Sequence, residues 1–580
     1  MKRISAFALS VLLCLSLFTF DITAHDQITV NSTEAATVQN VCEGFLSGRV
    51  YYIYLGETNT TDQRTILDYI DEDTVHTSLG AVLANTSTDA QLSFYTVYDD
   101  YHVLKKIYPL GISVQNMEMD MLLLSEFTTY RNNIHKENDV AYDDFNASYS
   151  FGSIDINGNM AVAKVYEELN YRYAGREKWS YELNQYDIIL IKIESEWIVA
   201  DALTDDIFFT NYLASKYTNQ VGTIEDEADE KELTLAISSE ESLLDSQNTT
   251  LVDAARATTI VDYEPQNAKY YALTYTTSND NGQATPTFVN SNFPWWNSDC
   301  MNFASQCIWA GFGGSDTRND ILNAQAMDKS TSSLSQAYEW WATANPNVTA
   351  NSNHSSPSWR SCAAFKTYVQ NSKNSTEKGM HCDFELTGCN KQTIEWSYST
   401  DPSDLIGSVM LVRGSTQNED GTYTPVKQGH AVFVNDADSF DRTQIYVSCY
   451  NSCKKDVQLS IGWKHSSNSV DEVYTIRPRY FKGVESAPRV WGDLVDNVTP
   501  SSLSRTLVAH GNQTFATLRI TLQRPSGTIA RQWYANNTYK LTAAFSDWTF
   551  SGDQKWQYIV HGTLSNGQTV SWCGTIRVKE

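Results

Sequence analysis

The sequence predicts a multidomain protein of the α+β class. Three observations lead there. The chain has 580 residues, several times the usual ~100–200 residues of one domain. Short β-type runs recur in both its first and last thirds, separated by polar turns. Between them, a cysteine opens a helical pattern at residue 300, and a strand pattern begins at His430.

Residues 1–24 read as a secretory signal peptide. Met1-Lys2-Arg3 is basic, Ile4 to Phe20 is largely apolar, and Ile22-Thr23-Ala24 offers a small-residue cleavage site. The expected location is therefore secreted, extracellular or associated with a bacterial cell wall, with no membrane segment after cleavage. Residues 25–45 are polar and are expected to form a loose arm.

Residues 46–215 read as one α+β unit. Thr65–Ile70 has a short helical pattern, and Asn159–Tyr171, Tyr186–Ile193 and Ser195–Asp201 read as strands. This order resembles the cone-shaped cystatin-like fold that often precedes secreted bacterial hydrolase domains. No catalytic constellation falls in it: His76, His102 and His135 are scattered. Residues 216–260 form a linker, and the run Glu225–Glu232 is a solvated, self-repelling spacer.

Residues 261–484 are rich in Trp, Asn, Ser and Cys. In residues 485–580, Leu518–Leu522, Tyr539–Phe545, Trp556–Gly562 and Thr569–Val578 are β-type runs, as in a small Ig-like β-sandwich. Contact with the cell wall is expected of this terminal unit.

Composition narrows the partners. With 42 Lys+Arg against 69 Asp+Glu the net charge is −27. Such a chain lacks the basic footprint that neutralises nucleic-acid phosphates. No HExxH, GxSxG or phosphate-binding glycine loop occurs, and His381-Cys382 with Cys389 lacks zinc-site spacing, so no metal or cofactor is expected. Of the 10 cysteines, Cys14 leaves with the signal peptide, and the remaining count is odd. Disulfides among the others are expected, with Cys382/Cys389 and Cys449/Cys453 close enough for short loops, and Cys300 left free.

The chemistry centres on Asp299–Gly311. Phe303, Cys307 and Gly311 recur at four-residue spacing, with Asn297 or Ser298 expected as the cap. Cys300 then lies in the first turn, where unpaired N–H groups and the helix dipole favour a thiolate, the nucleophilic form of cysteine. Cys307 falls on the core stripe. A base is found 130 residues on, at His430, the start of a strand through Asn435. That order and spacing match papain-like enzymes.

Asp299-Cys300-Met301-Asn302-Phe303-Ala304-Ser305-Gln306-Cys307 resembles the D-C-x-N-F-x-S-Q motif of the putative amidase domain of Gram-positive bacteria. Asn267–Ala272, Trp340-Trp341, Ser358-Trp359 and Gly429–Val432 are similar to further landmarks of that family. The resemblance spans about 263–480. It implies a papain-like α+β fold and cysteine-dependent hydrolysis of an amide bond, with peptidoglycan peptides or other extracellular peptides as substrate. Two positions depart from it: Gly407-Ser408 where relatives carry Gly-Asp, and Tyr450 where a second histidine is common. For the residue orienting the imidazole, Asn451 is the first choice, as in a Cys-His-Asn arrangement, Asp436 the second and Tyr450 the third. The competing expectation is a non-catalytic surface or adhesion protein with a degenerate papain-like domain.

Overall fold

The structure, a computed structural model, describes residues 32–56, 65, 114–137, 139–193, 195–204, 206–216, 259–276, 290, 293, 299–314, 340, 342, 355–374, 379–389, 396–397, 402–417, 423–437, 444–450, 453–459, 472–484, 490–493, 495, 498–551 and 554–578. The signal peptide, the acidic linker and most of Thr65–Ile70 lie outside these residues. Thr65 itself makes an isolated parallel bridge with Val199.

The first unit opens with α1 (Ser32–Leu55) and α2 (Val114–Glu137). The expected loose arm over 25–45 is thus corrected, because a helix crosses the 45/46 boundary. Val38, Cys42, Leu46, Val50 and Ile53 recur every three to four residues and are all buried, an apolar stripe sufficient to dock an otherwise polar helix. The strands β1 (Tyr142–Asn157), β2 (Met160–Tyr173), β3 (Ser180–Ile193) and β4 (Glu196–Thr204) form an antiparallel meander, followed by α3 (Ile207–Lys216). The last three strands fall where the β-branched runs predict them.

The second unit contains β5 (Thr259–Asp262), α4 (Pro265–Tyr275), α5 (Cys300–Gly311), the turn α6 (Pro357–Arg360) and α7 (Cys362–Asn374). Then follow β6 (Gly379–Cys389), β7 (Trp396–Ser397), β8 (Val409–Gln417), β9 (Tyr423–Ala437), β10 (Ile445–Cys449), β11 (Cys453–Gln458) and β12 (Glu472–Val484). Ala431 and Phe433 of β9 join the core that holds α5, while Val432 and Val434 join the core of the first unit. The alternation along this strand therefore serves two cores at once.

The two units share one sheet. β3 pairs with β11 through Cys453↔Leu183, Glu182↔Lys454 and Tyr181↔Lys455, which gives a 12-stranded sheet. At this seam Lys454 is fully buried, with its ammonium 2.6 Å from Glu182, 2.7 Å from Asn184 Oδ1 and 3.1 Å from Asp206. Arg176 and Lys178 each reach Asp436 at 2.7 Å.

The C-terminal strands β13 (Val490–Gly492), β14 (Arg505–Gln523), β15 (Ile529–Phe545), β16 (Gln554–Thr563) and β17 (Thr569–Val578) belong to one five-stranded antiparallel sheet. The four β-type runs read from the sequence all lie within it. Its apolar face continues the α5 core, and Trp572 Nε1 donates to the carbonyl of Gly314, just past α5, at 3.1 Å. Among the described residues no helix is long and apolar enough to cross a membrane.

Gly407 explains one departure from the family motif. Its φ is +85°, and an added Cβ would lie 2.5 Å from Pro265 Cβ and 2.9 Å from Pro265 Cα at the start of α4. Both the left-handed backbone and the close approach require glycine. Gly407→Ala is expected to destabilise the protein by at least ~2 kcal/mol, the sum of the backbone penalty and overpacking. Urea unfolding checks this, and a midpoint equal to wild type would refute it.

Candidate active site

α5 begins at Cys300, with Asp299 in the N-cap position rather than the expected Asn297 or Ser298, which lie outside the described residues. Phe303 N–H donates to the Asp299 carbonyl at 2.9 Å, the first bond of the helix. The Asp299 carboxylate does not cap the backbone; it accepts from Asn302 Nδ2 at 2.7 Å. Asn302 Oδ1 in turn accepts from Trp359 Nε1 at 2.6 Å, and Ser305 Oγ donates to the Trp359 carbonyl at 2.8 Å. Gln306 Oε1 accepts from Tyr271 at 2.8 Å. The D-C-x-N-F-x-S-Q string is thus a set of buried ties that fix the first turn of α5. Trp340 and Trp359 pack ring to ring at 4.6 Å, fully buried. They are core residues, and Trp295, Trp296 and Trp341 lie outside the described residues.

The structure brings Cys300 and His430 together. Both are buried, at 4% and 8% exposure, so their charges act in a low-dielectric setting. The Cys300 thiol pKa is held well below its ordinary value, first by a hydrogen bond from Cys362, against burial, and then by the charge and hydrogen bond of His430 and the Ala431 backbone. Burial disfavours the imidazolium, but the Cys300 thiolate and hydrogen bonds to Cys300 and Cys449 outweigh it and push His430 up to about 10. The pair is therefore a thiolate and an imidazolium over the neutral range. Cys307, two turns along the same helix, shows the contrast: burial without such partners raises its pKa.

The three candidates for the orienting residue fare differently. Asn451 lies outside the described residues. Asp436 belongs to the seam, bound to Arg176 and Lys178, and the cations lower its pKa against partial burial. Tyr450 is a core residue: its ring stacks on Phe303 at 4.1 Å and its hydroxyl donates to the Tyr275 carbonyl at 2.9 Å. The described side chain hydrogen-bonded to the imidazole beside Cys300 is Cys449, at the end of β10. Sequence reasoning missed Cys449 and Cys362 because it assigned cysteines to disulfides. That expectation is corrected too: Cys42, Cys300, Cys307, Cys362, Cys382, Cys449, Cys453 and Cys573 are all free buried thiols. Cys449 and Cys453, close in sequence, belong to separate cores. No group of three or more metal-ligating side chains occurs among the described residues.

The fold and site define an α+β protein with a buried Cys–His pair at a helix start and a strand. Residues 262–473 match the family model described as "Putative amidase domain", and that part of the chain belongs to this family. No curated protein matches the chain. Among solved structures, a β-glucuronidase from Parabacteroides merdae aligns at 7% identity and TM-score 0.14, over 35% of this chain and 28% of that enzyme. One from Ruminococcus gnavus aligns at 8% identity and TM-score 0.13, over 36% and 37%. The chain thus spans under two fifths of either enzyme, and likenesses this low carry no argument about fold or function.

Proposed function

We propose that the chain is a secreted cysteine amidase or peptidase acting on peptidoglycan peptides or other extracellular peptides. The observation that carries the reading is the Cys300–His430 contact inside an amidase-family domain, with Cys300 at a helix N-terminus. His430 takes the Cys300 proton, and the thiolate adds to the amide carbonyl. His430 then protonates the departing amine, leaving an acyl-thioester that water hydrolyses to the acid and free thiolate. The extracellular location rests on the character of residues 1–24, and the wall substrate on analogy with papain-like domains that share the Asp-Cys start.

Gly407 and Tyr450, the departures that favoured a degenerate binding module, have structural occupations instead. Brief native treatment with iodoacetamide near neutral pH is expected to modify Cys300 ahead of the other thiols. Hydrolysis of a peptide-amide panel is expected to fall in proportion. Faster labelling of another cysteine, or hydrolysis that survives full Cys300 labelling, would reject the assignment.

A further inference from the structure

Two helix N-termini meet at the site. Cys300 is the first residue of α5 and Cys362 the first residue of α7. Ser361 caps α7 through its carbonyl, which accepts from Phe365 N–H at 2.9 Å. α6 lies between the two starts and is tied to α5 twice, by the Trp359 Nε1 and Trp359 carbonyl bonds described above. Both sulfurs are buried in the same core, at 4% and 8% exposure. The Cys362 side chain hydrogen-bonds to Cys300.

We propose that Cys362 is a positioning residue for Cys300: its thiol donates a hydrogen bond to the Cys300 sulfur and holds that sulfur as an oriented thiolate. The inference rests on Cys300 being the nucleophile of the proposed amidase. A buried thiolate needs donors to replace water. His430 supplies one, and it must swing its proton toward the leaving amine during the reaction. A second donor that stays in place keeps the sulfur charged and aimed through that step. Cys362 suits this task, because an S–H group is too weakly acidic to surrender its proton to the neighbouring thiolate.

The other titratable groups packed around the start of α5 do not substitute for it. Asp299 is held by Asn302, Tyr271 donates to Gln306, Tyr450 donates to the Tyr275 carbonyl, and Cys449 contacts His430. Of the influences on the Cys300 thiol, the Cys362 bond is the largest.

The test compares the reduced full-length wild type with Cys362→Ala, Cys362→Val and Cys362→Ser. The pH dependence of Cys300 alkylation is read by mass spectrometry of the peptide containing it, and near-ultraviolet circular dichroism reports folding. The alanine and valine variants are expected to raise the alkylation midpoint by about one to two pH units, the worth of a hydrogen bond to a charged group. Serine, which keeps a donor, is expected to restore most of the wild-type midpoint. A low wild-type midpoint left unmoved by the valine variant would overturn the inference alone, as would a serine variant shifted as far as alanine. A wild-type midpoint at the ordinary thiol value of ~8.5 would remove the nucleophile reading and this inference with it.

Discussion

Replacing Cys300 by alanine is expected to abolish amide hydrolysis while leaving the unfolding transition in place, and His430→Gln is expected to lower kcat/KM by about 10²–10⁴-fold. The two variants fail for different reasons, and pH separates them. In wild type the reactive state is thiolate plus imidazolium. It is lost in acid when Cys300, held low by Cys362 and His430, takes up a proton. It is lost in alkali when His430, raised to about 10 by the Cys300 thiolate against its burial, gives up the proton needed by the leaving amine. The rate profile is therefore a bell whose alkaline limb falls near that value. Glutamine retains a hydrogen-bond donor but carries no charge and transfers no proton. The residual activity of His430→Gln is expected to lose the alkaline limb, and its acid limb is expected to move upward because the thiolate no longer has a cation beside it. A His430→Gln profile with both limbs in their wild-type places would show that another group is the base.

The dyad was legible in the sequence because each member sits in a local pattern. Phe303, Cys307 and Gly311 mark the helix, and the alternation from His430 to Val434 marks the strand. The strands of the first unit were readable for the same reason, since β-branched runs such as Tyr186–Ile193 report their own pairing. What the sequence did not disclose depends on contacts between distant segments. Cys362 reaches Cys300 through the α5–α6 ties, and Cys449 reaches His430 from the neighbouring strand. A count of cysteines treats both as candidates for bridges, because it has no access to which thiols face one another. The helix over residues 32–55 was hidden differently. Its buried stripe includes Cys42, and it is surrounded by Thr, Asn, Ser and Gly, residues that read as loop when the packing surface of β1 and β2 is unknown. Asp436 stood close to His430 in sequence, yet its partners Arg176 and Lys178 come from more than two hundred residues away. Proximity along a strand thus favoured a catalytic role that the fold assigns to the seam.

That seam carries the second large effect. Lys454→Met is expected to destabilise the protein by about 3–5 kcal/mol, the loss seen when one member of a buried ion pair is removed. Lys454 is fully buried and serves Glu182 and Asp206 together. Methionine fills similar volume, so the loss reports the uncompensated carboxylates and not a cavity. Burial alone would raise the Glu182 pKa; Lys454 and then Arg131 reverse this and hold it at about 2. A depressed carboxyl pKa adds stability above the unfolded-state value of ~4.3, and that stability drains away as the pH falls toward the folded-state value. Without Lys454 this contribution shrinks, so acid unfolding is expected to begin at higher pH in the variant. Lys178→Ala provides the contrast. Its ammonium touches Asp436 at 2.7 Å but its side chain is half exposed, so the change is expected to stay within ~1 kcal/mol. Urea and acid titrations of the full chain read both. The consequence extends to the site, because β11, which carries Lys454, pairs with β10, whose last residue is Cys449. A first unit that served only as a tether would let Lys454→Met unfold at the wild-type urea midpoint. The shared sheet instead makes that unit part of the scaffold on which the β10 end and the imidazole are held.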